Sequence, residues 1–528
     1  MSLDNKTICK TLFSEISSNE YRCSMCTKSI KCVTNRGYTN LINHLKSKHV
    51  DDYINGAKEI LSTQNHSIDK YIVLTVDTQN FLDWMDWILE CNLPFAFLDQ
   101  EITIRLSKLK KITSKTLKTN MKILQGTLRN KIMKLLPQYF GLMFDGWSDC
   151  NIHYLAVYAV VPNDDPILLL FNNFKNEENL SANSYTESWE SIIDVYGLRR
   201  DSVRYLIGDN CSTNLKASRD FGIPIIGCAA HRLNLAIKMW LNVTERKILI
   251  EKITLLSKKL RTIKGKAFLK RIACKNAITP SLTRWSSVFE MVQRFIKIEP
   301  LISAARERPK ELNPLMLSPL EMDNVQILFK HLNNFHSVIL YLQRRNCTMA
   351  DVRIIFDSLI DEYSSLRKYL DKNADIVENP NFENALVKLQ NDDSDILTLT
   401  ERDCVDFLKL PSITPRYEER FLIPELALKS EAQESPDFVS RVMSKKVKRT
   451  DEYQDCRFIP PTSAEVERLF SKAKNILTAK RKALCSENVE MLMFLRANRR
   501  LIDNELVGET FNKANTKHTM LEYLRVCN

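Results

Sequence analysis

Four residues near the N-terminus have the types and spacing of a zinc site. Cys23 and Cys26 are separated by two residues, and His44 and His49 follow after seventeen more. Two thiolates on a tight turn and two imidazoles about one helical turn apart can close a tetrahedral shell around Zn²⁺. A segment this small folds poorly without the ion, so we expect the zinc to be structural. The alternative is that the four residues are unrelated members of a loop.

The next candidates are two acidic residues at the ends of hydrophobic segments. Residues 140–144 and 153–161 predict an antiparallel strand pair, and Asp145 stands where the first strand is expected to end. Asp209 follows another predicted strand at residues 203–207. If these strands are neighbours, as in an RNase H-like sheet, the two carboxylates repel each other unless a divalent cation such as Mg²⁺ joins them. The alternative for Asp145 is that it simply opens a turn.

A third acidic residue, Glu467, lies on a predicted helix near the C-terminus. Thr462 and Glu465 have the spacing of a capping box at the start of this helix. The helix then buries an apolar stripe formed by Val466, Leu469, Phe470 and Ala473. Glu467 lies at the edge of the stripe, where a carboxylate needs a partner. Residues 139–245 predict an α/β arrangement that places Asp209 at the carboxyl edge of a sheet, where ligand sites are favoured.

A basic segment precedes the predicted sheet. Between residues 102 and 144 there are ten Lys and Arg and no Asp or Glu: Arg105, Lys108, Lys110, Lys111, Lys115, Lys118, Lys122, Arg129, Lys131 and Lys134. A solvated helix face normally mixes both signs, so this segment predicts contacts with a phosphate backbone. The net charge of +12 over 528 residues also favours an anionic partner. The alternative is a surface that is merely soluble.

Other residues are candidates for contacts with DNA. Arg36, Lys46 and Lys48 of the Cys/His segment are free to face it. His231 follows Cys228 at metal-like spacing, but a phosphate contact by His231 or Arg232 is the better interpretation because no second pair lies nearby. The adjacent Arg284 and Trp285 suit phosphate binding plus base stacking, with a core Trp as the alternative. Trp84 and Trp87 are expected to be core residues.

The remaining features limit the class of protein. No run of 18 apolar residues and no signal-peptide pattern is present, so we expect a soluble protein that is not secreted by the ordinary route and has no membrane partner. Fourteen cysteines, mostly single, indicate reduced intracellular thiols. Residues 289–410 are helical in pattern and carry no motif that predicts chemistry. Residues 427–455 predict a linker, whose basic run at 445–449 resembles a nuclear-import signal.

Two sets of motifs resemble known families. The N-terminal segment, with RGYTNLINHLKSKH, resembles a BED-type zinc finger, although only Phe13 and Tyr21 stand where the family has a tryptophan. The motifs FDGWSD, GDNCSTN, CAAHRLN, TRWSS and SAEVERLFS, followed by NVEMLMFL, resemble hAT-family DNA transposases in wording and order. The second resemblance covers about residues 140–502.

The resemblance implies an α+β multidomain fold. Its parts are a zinc finger at 1–55, a basic helical region for DNA binding or association at 67–136, and the first part of an RNase H-like α/β catalytic core at 137–245. A large all-α insertion with the linker follows at 246–455, and the catalytic Glu helix with a helical C-terminal association region follows at 456–528.

The resemblance also implies an activity. Asp145, Asp209 and Glu467 would form an Asp-Asp-Glu triad that holds Mg²⁺ or Mn²⁺ and cuts and transfers the strands of double-stranded DNA, both transposon ends and target. Trp285 would stack on a flipped base, with Arg284 and His231 near the DNA. A homodimer or higher oligomer in the nucleus is expected. The alternatives are a domesticated, catalytically silent DNA-binding regulator and an RNase H-like nuclease without strand transfer.

Overall fold

A computed structural model describes residues 5–17, 20–23, 25–26, 28–31, 38–49, 74–149, 152–162, 164–173, 181–281, 285–410, 452–477 and 485–513. The predicted DNA contacts Arg36 and Arg284 and the basic run at 445–449 lie outside these residues, as does most of the predicted linker.

The N-terminal unit is a small sheet with two helices. Helix α1 (Asn5–Leu12) precedes strands β1 (Phe13–Ser17), β2 (Glu20–Cys23) and β3 (Ser29–Lys31), and helix α2 (Thr39–Lys48) follows. The three strands are antiparallel in the order β1-β2-β3. Eight side chains form a core that is separate from the rest of the molecule: Ile8, Cys9, Leu12, Phe13, Cys23, Leu41, Ile42 and Leu45.

Three helices connect this unit to the large sheet: α3 (Val76–Glu90), α4 (Glu101–Leu106) and α5 (Ser114–Leu135). The hydroxyls of Thr75 and Thr113 cap α3 and α5. Trp84 is buried, as the core prediction requires, whereas Trp87 is 36% exposed and stacks on it with ring centroids 5.4 Å apart. The basic segment therefore lies largely on α4, α5 and the connection between them.

The central sheet has five strands: β4 (Phe140–Asp149), β5 (Ile152–Val160), β6 (Ile167–Asn173), β7 (Val203–Gly208) and β8 (Ile225–Gly227). Their order is β6-β5-β4-β7-β8. Strands β4, β5 and β6 are antiparallel, and β7 and β8 run parallel to β4. The predicted strand pair is confirmed.

The end predicted for the first strand is wrong. β4 pairs with β5 as far as Asp149 opposite Ile152, so Asp145 lies within the strand and does not open the turn. The Gly and Ser that follow Asp145 are residue types typical of turns, but β5 is long enough to continue the ladder past them. A close approach at the other end of β4 needs glycine, because a Cβ at Gly141 would lie 2.0 Å from the ring of Tyr205 on β7.

Helices α6 (Ala182–Val195) and α7 (Ser212–Phe221) cover one face of the sheet. Trp189 of α6 links them, because its ring packs edge-on against Phe144 of β4 and Phe221 of α7, with centroids 4.9 and 5.2 Å away. Glycine ends α7, since Gly222 has a φ of 73° and adopts the left-handed conformation.

A helical layer follows the sheet. Its helices are α8 (Ala229–Leu241), α9 (Thr244–Leu260), α10 (Ile263–Arg271), α11 (Ser286–Ala304), α12 (Pro319–Leu342), α13 (Met349–Glu362), α14 (Arg367–Leu370), α15 (Pro380–Gln390) and α16 (Leu399–Cys404). Residues of α8 to α14 share a second large core, whereas Phe382, Leu386 and Leu389 of α15 belong to the core of the sheet. Ser318 and Glu321 form a capping box on α12, and Lys252 of α9 pairs with Glu321.

The last helices return to the sheet: α17 (Ala464–Ile476), α18 (Ser486–Ala497) and helical residues 504–513. The predicted capping box on α17 is wrong. Ser463 precedes the helix without a side-chain cap, the Thr462 hydroxyl donates to the carbonyl of Leu342, and Glu465 pairs with Arg345 and Arg468. Thr462 and Glu465, the two side chains predicted to form the capping box, therefore make tertiary contacts instead.

Candidate functional site

The four N-terminal Cys and His residues come together as predicted. Cys23 ends β2, Cys26 lies in the turn that follows, His44 lies on α2, and His49 comes directly after α2. Their ligand atoms all lie within 4.8 Å of one another. Sγ of Cys26 is 3.3 Å from Nε2 of His44, and Sγ of Cys23 is 3.7 Å from Nε2 of His49. Zn–S bonds of about 2.3 Å and Zn–N bonds of about 2.0–2.1 Å at a tetrahedral angle separate S from N by about 3.6 Å, so the group fits zinc.

The surroundings of this group act in opposite directions on its thiol and imidazole ligands. Burial raises the pKa of Cys23, and burial together with nearby positive charge lowers the pKa of His44. A neutral His44 is ready to bind a metal, whereas Cys23 must lose its proton to the incoming ion. The ring of Phe13 packs edge-on against His44, so the expected aromatic cover is present. Neither Thr39 nor Asn40 caps α2, whose N-cap is Tyr38.

The second candidate site lies at the carboxyl edge of the parallel strands. Met143 of β4 pairs with Ile207 of β7, and two residues further along each chain come Asp145 and Asp209. Asp145 points to the same face of β4 as Trp147, because side chains alternate along a strand. The ring of Trp147 lies against Phe470 of α17, with centroids 5.6 Å apart. Asp145 therefore lies on the face that α17 covers.

Cys228 and Ala229, directly after β8, connect the start of α17 to the end of β7 by three hydrogen bonds. The amide of Cys228, directly after β8, donates to the carbonyl of Gly208 at 2.8 Å. The next amide, that of Ala229, donates to the carbonyl of Pro461 at 2.9 Å, and the Ser463 hydroxyl donates to the sulfur of Cys228 at 3.4 Å. Glu467 comes one helical turn after Ser463 and one turn before Phe470. The helix that carries Glu467 thus begins beside the strand that ends at Asp209.

His231 and Cys228 do not act as two halves of one metal site. Nδ1 of His231 lies 2.9 Å from Oδ2 of Asp209. The thiol of Cys228 is buried and accepts from Ser463, and burial raises its pKa to about 12. A thiol held so firmly in its protonated form is a poor metal ligand. The second interpretation, a DNA contact by His231, stays a prediction, and the His231 ring now has a partner in Asp209.

The three acidic side chains have the chemistry of a hard-cation site. Carboxylate oxygens are the ligands that Mg²⁺ and Mn²⁺ prefer, and Asp145, Asp209 and Glu467 are each partly exposed and therefore accessible to an ion. Among the described residues, the zinc group is the one set of three or more Cys, His, Asp or Glu side chains placed so that it could hold a metal ion. The role of the three carboxylates as a catalytic triad stays a prediction.

Tyr185 of α6 is a neighbour of this edge that no sequence motif indicated. A Cβ on Gly146 would lie 3.0 Å from its hydroxyl, so the hydroxyl sits against the residue that follows Asp145. Burial, and then the negative charges of Cys211, Asp145 and Asp209, raise its pKa. The tyrosine stays protonated beside the carboxylates. Only the fold brings it there, because it lies on a helix 40 residues along the chain from Asp145.

The predicted DNA contacts of the basic segment divide into two groups. Lys108, Lys110 and Lys111 are exposed, as are Lys46 and Lys48 of α2. Lys110 pairs with Asp77 at 2.7 Å, and both partners are well exposed, so the pair is weak and leaves the lysine available. The second group faces the C-terminal region: Lys122 pairs with Glu487, Arg129 with Glu490 and Lys131 with Asp503.

Trp285 lies inside the helical layer. Its side chain is 3% exposed, and its ring meets that of Phe335 edge-on with centroids 6.3 Å apart. This placement agrees with the alternative prediction for Trp285, a tryptophan in the core. Stacking on a base stays a prediction that requires the ring to become accessible.

Comparison with family models supplies the assignment. Residues 450–498 match the hAT family C-terminal dimerisation region. This match supports the assignment of the chain to the hAT family. Comparison with curated proteins gives no match. The matched residues include α17, with Glu467, and the apolar helix α18, so the hAT region contributes to the candidate site as well as supporting association of chains.

The hAT region is also packed within its own chain. Val489, Leu492 and Phe494 of α18 are buried in the core of the sheet, and the guanidinium of Arg129 lies 5.3 Å from the centre of the Phe494 ring. The acidic partners of α5 belong to this region or come just after it. Within the described residues, no helix is both long and apolar enough to cross a bilayer.

Proposed function

We propose that this hAT-family protein is a DNA transposase whose catalytic core is an RNase H-like fold. The observation that carries the proposal is the parallel register of β4 and β7, which aligns Asp145 with Asp209, while α17 brings Glu467 to the same edge. The strand order, three antiparallel strands followed by two parallel ones, supports this fold. Residues 246–455 would be its all-α insertion and linker.

In this proposal the three carboxylates bind Mg²⁺ or Mn²⁺ between them. A bound Mg²⁺ or Mn²⁺ would supply activation of the attacking oxygen and neutralisation of charge on the leaving oxygen in an in-line phosphodiester displacement. Asp145 supplies its carboxylate from a paired strand, so little rearrangement of the backbone is needed to present it. His231, through its contact with Asp209, fixes the orientation of that carboxylate. Glu467 on α17 would close the site from the opposite side.

The remaining parts assign partners. The zinc group supports a BED-type finger that contacts double-stranded DNA through Lys46 and Lys48, and the exposed lysines of the basic segment would add phosphate contacts. The hAT region would hold two or more chains together, so that both transposon ends are bound in one assembly. A transposase acts on chromosomal DNA, which implies the nucleus.

The test is cleavage of DNA from the repeats that flank the coding region. The purified protein with Mg²⁺ or Mn²⁺ is compared with Asp145→Ala, Asp209→Ala and Glu467→Ala. We expect metal-dependent strand breaks that all three variants lose while they still bind the same DNA. Asp149→Ala, at the end of the same strand and beyond the site, is the matched control and should cleave normally.

The rival function makes the opposite prediction. A domesticated DNA-binding regulator would bind the flanking repeats without cutting them, and the three alanine variants would behave like the unmodified protein. Cleavage without joining of the cut ends to a target would indicate instead a nuclease.

A further inference from the structure

The helical layer contains a buried ion pair that faces the carboxyl edge of the sheet. Arg232 of α8 and Glu383 of α15 are 5% and 8% exposed, and their closest charged atoms are 3.2 Å apart. Replacing such a pair by apolar side chains often leaves stability unchanged or improves it, so its presence needs another reason than stability. The sequence favoured a phosphate contact for Arg232, which its burial contradicts.

Glu383 reaches the edge by two routes that both end at Asp209. On the first, Glu383 accepts from Arg232, and the residue directly before Arg232, His231, contacts the Asp209 carboxylate. On the second, Glu383 accepts from the amide of Gly227 at 3.0 Å, at the end of β8.

The second route continues through close packing. A Cβ on Gly227 would lie 2.2 Å from the side chain of Asn210, so that side chain rests directly against the glycine backbone. Asn210 is the residue that follows Asp209. A displacement of Gly227 therefore moves Asn210, and with it the backbone that carries the carboxylate.

The segment that leads to Glu383 adds more contacts to the same edge. We call residues 369–383 the brace segment. The carbonyls of Tyr369 and Asp371 accept from the Arg232 guanidinium. The carbonyl of Ile376 accepts from the Asn210 amide, and the side-chain oxygen of Asn379 accepts from the amide of Ile225 on β8.

We propose that Glu383, with the brace segment, is a positioning residue that holds Asp209 and His231 in place for metal binding. The effect on metal binding rests on the proposed function, whereas the effect on the position of Asp209 and His231 does not. Glu383 contacts neither Asp209 nor His231, and it acts through Arg232 and Gly227. Groups that hydrogen-bond directly to a metal ligand, as His231 does to Asp209, are typically worth about 10–100-fold in metal affinity, and Glu383 acts on this pair from one step further away.

The test compares two Glu→Gln substitutions that each remove one charge of an ion pair. Glu383→Gln is the test variant, and Glu401→Gln is the matched control. Glu401 of α16 is 5% exposed and pairs with Lys388 at 2.7 Å, and no contact joins it to β7 or β8 in the described part of the chain. Mn²⁺ binding by the full zinc-loaded chain is measured by electron paramagnetic resonance, and amide exchange by mass spectrometry.

We expect Glu383→Gln to weaken Mn²⁺ binding by about tenfold or more and to speed amide exchange at residues 205–211 and 225–232. The control should do neither. Equal behaviour of the two variants in exchange would overturn the proposal. If the unmodified chain binds no Mn²⁺ but Glu383→Gln still speeds exchange at these residues, the positioning role stands and the proposed metal chemistry fails.

Should Glu383→Gln not fold, the double variant Arg232→Met with Glu383→Gln keeps the test open. It removes the buried charges together and leaves an acceptor for the Gly227 amide. We then expect the loss of Mn²⁺ affinity to persist, because the route through His231 is cut, while exchange at 225–227 returns to normal. Unchanged Mn²⁺ affinity in this double variant would overturn the route through Arg232.

Discussion

Removal of zinc should unfold the N-terminal unit and leave the rest of the chain intact. Among its described residues the unit has eight buried core side chains, and this core is separate from the two large cores. Structural zinc contributes about 10–16 kcal/mol to a folded finger, as much as the whole net stability of an ordinary domain. A unit this small has no comparable reserve. Its loss should not reach the sheet, because the buried residues of the two parts do not form a common core.

The perturbation is a high-affinity chelator or the variant Cys26→Ser. Cys91→Ser is the matched control, since Cys91 is also an exposed cysteine but lies outside the zinc group. Elemental analysis should give one zinc per chain in the unmodified protein and in the control, and close to none in Cys26→Ser. Amide exchange should then rise to the unfolded rate across residues 5–49.

Thermal unfolding of the remainder is the second readout. We expect the main transition to shift by less than about 2 °C, which corresponds to less than about 1 kcal/mol for a large domain. Binding of zinc should weaken as the pH falls, because the raised pKa of Cys23 makes its proton harder to displace. Amides of residues 5–49 that stay protected without zinc would refute the reasoning, as would collapse of the whole chain.

Three further predictions follow from local contacts. Gly141→Ala should destabilise the sheet by about 1–3 kcal/mol or more in thermal unfolding, since its Cβ would overlap an aromatic ring, whereas Gly126→Ala, on the exposed face of α5 with no atom within 4 Å, should stabilise by about 0.5–1 kcal/mol. Lys108→Ala should lower the slope of log K for DNA binding against log salt concentration by about 0.9. Lys131→Met should leave this slope unchanged, because the ammonium of Lys131 already has an acidic partner. Equal slopes for the two variants would contradict the division of the basic segment into two groups. The hydrogen bond from Lys252 lowers the pKa of Glu321 from its usual 4.5, so its stabilisation exists above pH 4.5 and disappears as the pH falls through the lowered pKa; Glu321→Gln should flatten that acid limb of melting temperature against pH.

The sequence predicted best what depends on spacing along the chain. The Cys and His ligands lie within 27 residues of one another, so a turn and one helix suffice to bring them together. The antiparallel pair β4 and β5 was equally local. The alignment of Asp145 with Asp209 needed the single further assumption that β4 and β7 are neighbours, and the structure has them paired in parallel.

The failures came where distant partners decide. Thr462 has the right spacing for a cap, but it donates to a carbonyl 120 residues away. Three of the ten cations of the basic segment, Lys122, Arg129 and Lys131, pair with acids that lie more than 360 residues further along the chain, and the pairs of Arg129 and Lys131 are partly buried. A window of sequence shows the cations without these anions, so it overstates what is available to phosphate.

The brace segment was invisible for a different reason. Three of its contacts use the carbonyls of Tyr369, Asp371 and Ile376, and any residue type supplies a carbonyl. Asn379 and Glu383 reach β8 through their side chains, and a lone Asn or Glu on a helical pattern normally indicates a solvated face. Backbone atoms can therefore hold the surroundings of Asp209 in position without leaving a motif. Substitutions that alter the path of the brace segment, such as proline within it, should disturb Asp209 more than substitutions that change its exposed side chains.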